Sequence, residues 1–290
     1  MGAVRRALKR VAPLEALYVS FRATPTLRDA FAYSLYRTLV WLVDRFRFAR
    51  GLSVAVGRVS RRLHVTFALT SEGGPPATLT LPVQPQAYWT LVEVFSHACY
   101  RPLVPLAPDV IVDAGANIGL ATVYLHGLFP GARFVCVEPD PANIPLLRRN
   151  LTQNGVRADV VEVVLGQVEG QADFRVHQAA SEYSTAGPTV FPDGEFRTVR
   201  VAARPLAPVL AEAGVERVGM LKIDIEGGEF GVLGGAASLP PLDYLAGEFH
   251  GFAGDIGRLA EVTTAATGLV LLRRTGGDEL ATLHFGRRPA

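Results

Sequence analysis

From residue 109 to the end of the chain, short apolar runs alternate with amphipathic helical stretches, and few folds satisfy that order. β-rich runs fall at 110–113, 133–137, 160–165, 220–224 and 244–249; helical periodicity falls at 118–129, 141–153, 205–213, 229–239 and 255–267. Strands joined through helices return parallel to one another. The pattern therefore predicts an α/β core, a mostly parallel sheet covered by helices on both faces. Two places depart from it. Residues 174–177 and 197–201 read as an inserted hairpin or edge pair around a long polar loop at 178–195. At the far end, 269–273 and 280–285 flank the turn Thr275-Gly276-Gly277-Asp278, so these two strands run antiparallel.

The region before residue 109 has a different character. Residues 1–50 read as a basic amphipathic helical extension, with Phe31, Leu35, Leu39, Leu42, Val43 and Phe46 at helical spacing. Residues 51–108 read as a pre-core region. Val54, Val56 and Val59 open a β-like stretch that continues through Leu63–Leu69, turns at Gly73-Gly74-Pro75-Pro76 and returns over 78–83. A helix over 86–100 and a stiff linker with Pro102, Pro105 and Pro108 follow.

Charge is uneven along the chain. Residues 1–50 hold ten Lys/Arg against three Asp/Glu, a net of +7, and the remaining 240 hold nineteen against twenty-four, a net of −5. An acidic body is a poor footprint for nucleic acid, so no nucleic-acid partner is expected. The basic end is suited to peripheral contact with an anionic membrane surface. The best apolar run, 30–43, is too short to span a bilayer and contains Arg37. The first twenty residues are interrupted by Glu15 and make a poor signal peptide, and the expected location is cytoplasmic. Two cysteines, Cys99 and Cys136, exclude a disulfide framework and a multi-cysteine zinc site.

The first strand of the alternating region leads into Asp113-Ala114-Gly115-Ala116-Asn117-Ile118-Gly119 and then a helix. Glycines at such a turn let backbone approach a ligand, and Gly119 permits close helix–strand packing. The next strand ends at Glu138, 19 residues beyond Gly119, where a carboxylate can accept hydrogen bonds from both hydroxyls of a ribose. A dinucleotide would lay its pyrophosphate over the helix start, where Asp113 repels it and the Asn117 side chain crowds it. Both residues favour a nucleoside ligand with a positive charge at that point, such as the ammonium of S-adenosylmethionine. An NAD-dependent oxidoreductase on a similar sheet is the alternative, and a non-catalytic binding protein that retains the fold is another.

These stretches resemble the FkbM-type methyltransferases. The resemblance rests on Val112–Gly119 with Val137-Glu138-Pro139, on Leu221-Lys222-Ile223-Asp224-Ile225-Glu226-Gly227-Gly228-Glu229, and on Glu248-Phe249-His250. It covers roughly residues 90–285. It implies a Rossmann-like class I methyltransferase core over 109–290, with a seven-stranded sheet whose last strand is reversed. It also implies S-adenosyl-L-methionine as methyl donor and a hydroxyl acceptor, on a sugar, glycolipid or polyketide-like molecule. Gln167 stands where the family often has an acidic residue near the adenine.

Methyl transfer to an alcohol requires alignment and a base. The expected base is His250, whose ordinary pKa lies near neutrality. Asp224 is expected to orient the acceptor or the methionine end of the cofactor. Glu248 lies two residues from His250 and faces the same side of an extended strand; Glu226 stands in the same relation to Asp224. Glu229 is expected to favour the first turn of its helix. Lys222 is expected to be a buried partner for one of the acids. His177, Ser184 and Thr185 are acceptor-side candidates, though a solvated loop is the expected role of the last two. Carboxylates with an imidazole can also bind a divalent cation, but nothing in the spacing requires one and no metal is expected. The expected cofactor-binding set is thus Asp113, Gly115, Asn117, Gly119, Glu138 and Asp224, and the expected catalytic set His250, Asp224 and Glu248.

Overall fold

A computed structural model describes residues 26–47, 59–60, 62–70, 75–177, 184–186, 196–234, 239–251 and 254–287. The expectations for residues 1–25, for Val54 and Val56, for Gly73-Gly74 and for most of the 178–195 loop lie outside the described residues. In chain order the elements are α1 (Leu27–Arg47), β1 (His64–Thr70), β2 (Pro76–Pro82), α2 (Pro85–Leu91), β3 (Val110–Ala114), α3 (Leu120–Leu128), β4 (Arg133–Val137), α4 (Ile144–Gln153), β5 (Ala158–Val161) and β6 (Val164–Leu165). They continue with β7 (Gly170–His177), β8 (Phe196–Arg204), α5 (Leu206–Glu212), β9 (Met220–Ile223), α6 (Glu229–Gly234), β10 (Tyr244–His250), α7 (Ile256–Thr267), β11 (Val270–Gly276) and β12 (Leu280–Gly286).

Seven strands form one sheet in the order β11-β12-β10-β9-β3-β4-β5. β12 is antiparallel to both of its neighbours, and the pairs β10–β9, β9–β3, β3–β4 and β4–β5 are parallel. This is the class I methyltransferase arrangement with its reversed last strand. The chain leaves β3 toward β4 and β5, then returns to β9 on the other side. The carboxyl ends of β3 and β9 therefore flank the crevice where open α/β sheets bind ligands.

Alternation along the central strands sends side chains to two separate cores. Val112 and Ala114 join Val135, Leu221 and Leu245 on the α5–α7 face. Ile111 joins Phe134, Cys136 and Met220 on the face covered by α3 and α4. The run expected as one strand over 160–165 is two. Val161 closes the main sheet opposite Val137, and Val164 pairs with Ala203 of β8. β8 also pairs antiparallel with β7 along its length, which is the expected inserted hairpin.

β1 and β2 pair antiparallel in full register. Their apolar face joins α1, α2 and the buried side of α3 in a third core, around Tyr36, Phe67, Leu79, Leu81, Ile118 and Leu120. The free edge of β2 is closed by α4: Asn150 accepts from the Thr80 N–H through Oδ1 at 2.8 Å and donates to the Thr80 carbonyl at 3.1 Å, and Asn154 does the same for Thr78 at 2.8 and 2.7 Å. The pre-core region thus packs on the α/β core. Val59, expected in a strand, has helical backbone. The helix expected over 86–100 is α2 followed by a π-helical turn, Val92–Ser96.

α1 forms as expected but buries a different face. Ala30, Tyr33, Tyr36 and Val40 are buried, whereas Phe31, Leu35 and Leu42 are exposed. Tyr33 and Tyr36 meet Phe67 of β1 with ring centroids 5.2 and 5.4 Å apart. Apolar residues occur on more than one side of the helix, so periodicity alone does not choose the face; the aromatic contact with Phe67 does.

Candidate active site

The turn after β3 is shaped by what surrounds it. Gly115 has φ +78°, and a Cβ there would stand 1.8 Å from the Asp224 carbonyl oxygen. Only glycine fits. The N–H groups of Gly115 and Ala116 both donate to the Val137 carbonyl, at 2.9 and 3.0 Å, which folds the turn over the end of β4. Asn117 is also left-handed, at φ +51°, and its N–H donates to Glu138 Oε2 at 2.8 Å. Gly119, at φ +87°, precedes α3; its close approach is to Leu147 of α4, 2.9 Å from a would-be Cβ, and not to a strand.

Glu138 lines the cleft and is nearly buried. Oε1 accepts from the Asp140 N–H at 2.8 Å and from the Asn143 amide at 3.2 Å. Burial pushes its carboxyl up to about 7, against these hydrogen bonds. Gln167 is exposed, and Val163, Val164 and Leu165 line the cleft wall nearby.

Asp113 departs from its expected role. It is fully buried beneath the turn and does not line the cleft. In the parallel register of β3 and β9 it stands opposite Lys222, and opposite Cys136 on the other side. Neighbouring positions in register project to the same face, so Asp113 points toward α3. There Thr122 Oγ1 donates to its Oδ2 at 2.6 Å, and Lys222 Nζ lies 3.0 Å from its Oδ1. The Lys222 ammonium also donates to the Gly115 carbonyl at 2.7 Å and sits 5.3 Å from the Tyr100 ring centroid. Burial works against the charge on Lys222, but Asp113 and Asp224 outweigh it and raise its pKa. The expectation that Lys222 partners an acid corresponds to this pair.

Beyond the turn, the carboxyl ends of β9 and β10 bring Asp224, Glu226, Glu248 and His250 to one wall of a cleft of about 1290 Å³. Ordinary small-molecule sites enclose roughly 300–1,000 Å³. This one has room for a nucleoside cofactor and an acceptor together. Asp224 accepts a hydrogen bond from the Tyr100 hydroxyl at 3.0 Å. Glu226 is held at φ +52°, and its Oε2 lies 3.2 Å from His250 Nε2. Glu229 is fully buried and takes the Ile225 N–H on Oε1 at 3.0 Å and the Gly227 N–H on Oε2 at 3.0 Å. It holds the loop that carries Glu226, and its Oε1 lies 3.3 Å from His250 Nδ1.

Both ring nitrogens of His250 therefore face carboxylates. Burial opposes a charge there, but the hydrogen bond to Glu229 and the Glu226 carboxylate prevail and lift its pKa to about 10. With both nitrogens engaged by carboxylates, the ring stands as a partner of Glu226 and Glu229 as well as a candidate base. Glu248 Oε1 is further from the ring, at 3.9 Å. Burial, with the Asp224 charge beside it, pushes the Glu248 carboxyl up to about 8. Burial holds Glu226 well above the usual carboxylate range, against the pull of His250. Ligand atoms of Asp224, Glu229 and His250 lie within 4.8 Å of one another, a spacing a cation could use. The Glu229 carboxylate is already committed to the loop N–H groups, so this trio works first as a fold device.

Two contacts escaped the sequence reading. Tyr100 reaches Asp224 from 124 residues away, and no spacing signal links them. Thr185 is buried, not solvated: its backbone bridges Arg175 at 2.8 and 2.9 Å, and its Oγ1 donates to the Glu226 carbonyl at 2.7 Å. Ser184 lines the cleft, and its Oγ accepts from the His177 N–H at 3.0 Å. The His177 ring packs edge-on against Phe196, 5.1 Å away, so it supports the hairpin.

The Methyltransferase FkbM domain model matches residues 113–262. A 31-O-demethyl-FK506 methyltransferase, FkbM, of Streptomyces tacrolimicus is 27% identical over 204 residues, covering 60% of this chain and 78% of that protein. The methyltransferase sdnD of Sordaria araneosa is 28% identical over 178 residues, covering 52% and 69%. The 2-O-methyltransferase NoeI of Sinorhizobium fredii is 30% identical over 151 residues, covering 47% and 62%. The matched span holds the glycine turn, the Lys222–Glu229 loop and the Glu248–His250 strand end, and the chain belongs to the FkbM-domain family of methyltransferases.

Proposed function

We propose that this chain transfers the methyl group of S-adenosyl-L-methionine to a hydroxyl of a sugar, glycolipid or polyketide-like acceptor. The observation that carries the reading is the row of carboxylates at the ends of β9 and β10, in one cleft with the glycine turn. The residues fit the cofactor on three counts. Gly115 leaves a cradle that any side chain would fill. Asn117 Oδ1 is buried without a hydrogen-bond partner beside the cleft and is available to a ligand donor. Glu138 Oε2 takes a single N–H, from Asn117, and keeps acceptor capacity for a ribose hydroxyl. Asp113 is not proposed as a ligand to the methionine ammonium; Asp224, which faces the cleft next to Gly115, takes that role.

When bound, S-adenosylmethionine supplies an already activated methyl on a sulfonium. The protein's part is to align the acceptor oxygen and take its proton. Glu248 is assigned as the base, because it lines the cleft at the end of β10, stands 3.9 Å from His250 Nε2 rather than paired with it, and is held by burial above the usual carboxylate range. His250 holds Glu226 in place and tempers the negative charge of the cluster. Glu226 and Glu93, which both line the cleft, can accept hydrogen bonds from further acceptor hydroxyls. The relatives' names, a 31-O-demethyl-FK506 methyltransferase and a 2-O-methyltransferase, support a hydroxyl target.

The test is transfer from methyl-labelled S-adenosylmethionine to a panel of polyols, sugars, glycolipids and macrolactones. The expected product carries its label as an ether, which survives mild alkali. Label that alkali releases as methanol would mark an ester and contradict the hydroxyl assignment.

A further inference from the structure

The outer face of α1 is apolar where a solvent face should be polar. Leu27, Phe31, Leu35, Trp41 and Leu42 form one stripe, with Leu27 78%, Phe31 72% and Trp41 61% exposed. Positions 27, 31, 35 and 42 follow helical spacing, so the stripe runs about 22 Å along the helix. The opposite face is already satisfied: Ala30, Tyr33, Tyr36 and Val40 pack on β1. Seven of the eleven exposed large apolar residues among the described residues lie before residue 64. Such a concentration marks a docking surface.

Charge selects the occupant. Arg28 is exposed one helical turn from Phe31, on the same face. Residues 1–50 carry the net +7, against −5 for the rest of the chain. Exposed Trp and Phe beside Arg, on a helix at the basic end, match the chemistry of an anionic bilayer surface. No described helix is long and apolar enough to cross a membrane. We infer that α1 lies in the headgroup layer of an anionic membrane, with the Leu27–Phe31–Trp41 stripe inserted and the basic residues on phosphate.

The docked helix bears directly on the cleft. Tyr36 of α1 packs on Tyr88 of α2, ring centroids 6.3 Å apart, and the Arg37 guanidinium lies 5.9 Å from the same ring. α2 supplies Gln86, Trp89 and Thr90 to the cleft lining. Docking therefore holds one cleft wall within about two helix diameters, roughly 20 Å, of the bilayer. That places a lipid-linked hydroxyl within reach, a consequence that rests on the methyl-transfer reading; the docking does not.

The experiment is flotation of the full chain with vesicles of phosphatidylcholine alone or mixed with phosphatidylglycerol. The wild type is expected to float with the mixed vesicles, and less so with phosphatidylcholine or at high salt. Phe31→Glu/Trp41→Glu should lower partition at least about tenfold, since burying either ring is worth more than that factor. Leu27→Ser/Phe31→Ser is the second variant, at the exposed first turn. Both should keep the wild-type melting temperature and its response to S-adenosylhomocysteine, which separates loss of docking from loss of fold or of the cofactor site. A wild type that ignores both vesicles, or variants that float like it, would overturn the inference. So would concentration-dependent self-association without vesicle binding, abolished by Phe31→Glu/Trp41→Glu; the stripe would then be an interface between copies.

Discussion

Asp113→Ala is expected to destabilise the protein by about 3–5 kcal/mol, with no ligand present, because it strands a buried ammonium. Lys222 is 3% exposed and its Nζ lies 3.0 Å from Asp113 Oδ1. Taking both charges out of water is costly, and the pair offsets most of that cost. Removing the carboxylate leaves Lys222 with the Gly115 carbonyl and the more distant Asp224 charge as its remaining support. For a chain of this size the melting temperature should fall by roughly 10 °C. The ammonium also grips the Gly115 carbonyl at 2.7 Å, so the glycine turn should loosen and S-adenosylhomocysteine should bind less tightly. A double variant, Asp113→Asn/Lys222→Met, removes both charges and should recover much of the lost stability. The contrast with a ligand-contact role is sharp. If Asp113 touched the cofactor ammonium, Asp113→Ala would weaken binding and leave the ligand-free melting temperature unchanged.

Glu248→Gln is expected to lower kcat by roughly a hundred- to ten-thousandfold, the usual worth of a general base. The amide has nearly the same shape and cannot accept the proton. In the proposed role its effect should fall on kcat, with S-adenosylhomocysteine affinity near wild type. The pH profile carries the sign. Glu248 is the base only when ionised, and burial holds its pKa up to about 8. Wild-type kcat/KM should therefore rise by about tenfold per unit as pH climbs toward 8 and then level off. The residual rate of Glu248→Gln should lack that rise. His250→Ala discriminates between bases. If His250 were the base, its removal would abolish the profile and Glu248→Gln would keep it.

Much of the architecture is legible from residue order. The strand and helix alternation sets the sheet, and the short Thr275–Asp278 turn sets the reversed final strand, because period and turn chemistry are local properties. The glycine turn and Glu138 are local in the same sense, and both line the cleft. What escaped depends on register and distance. Asp113 sits at the expected place in the chain, but its direction follows from its pairing with Lys222 across β3 and β9, which one strand's sequence does not contain. His250 was assigned from its ordinary pKa, and Glu226 and Glu229 on its two ring nitrogens change that value. Tyr100 and Thr185 reach the Asp224–Glu226 loop from remote segments. The face buried by α1 was set by Phe67 on another element.

The cleft beside Gly115 and Glu138 is expected to hold S-adenosylmethionine, and a thermal melt tests this directly. The protein is melted near pH 8, above the raised pKa of about 7 for the Glu138 carboxyl, with S-adenosylhomocysteine and separately with NAD. Ligand at a thousand times its Kd adds about 4 kcal/mol, so S-adenosylhomocysteine should raise the melting temperature by roughly 8 °C or more. NAD should leave it unchanged. A shift with NAD and none with S-adenosylhomocysteine would contradict the account and make the glycine turn a dinucleotide site.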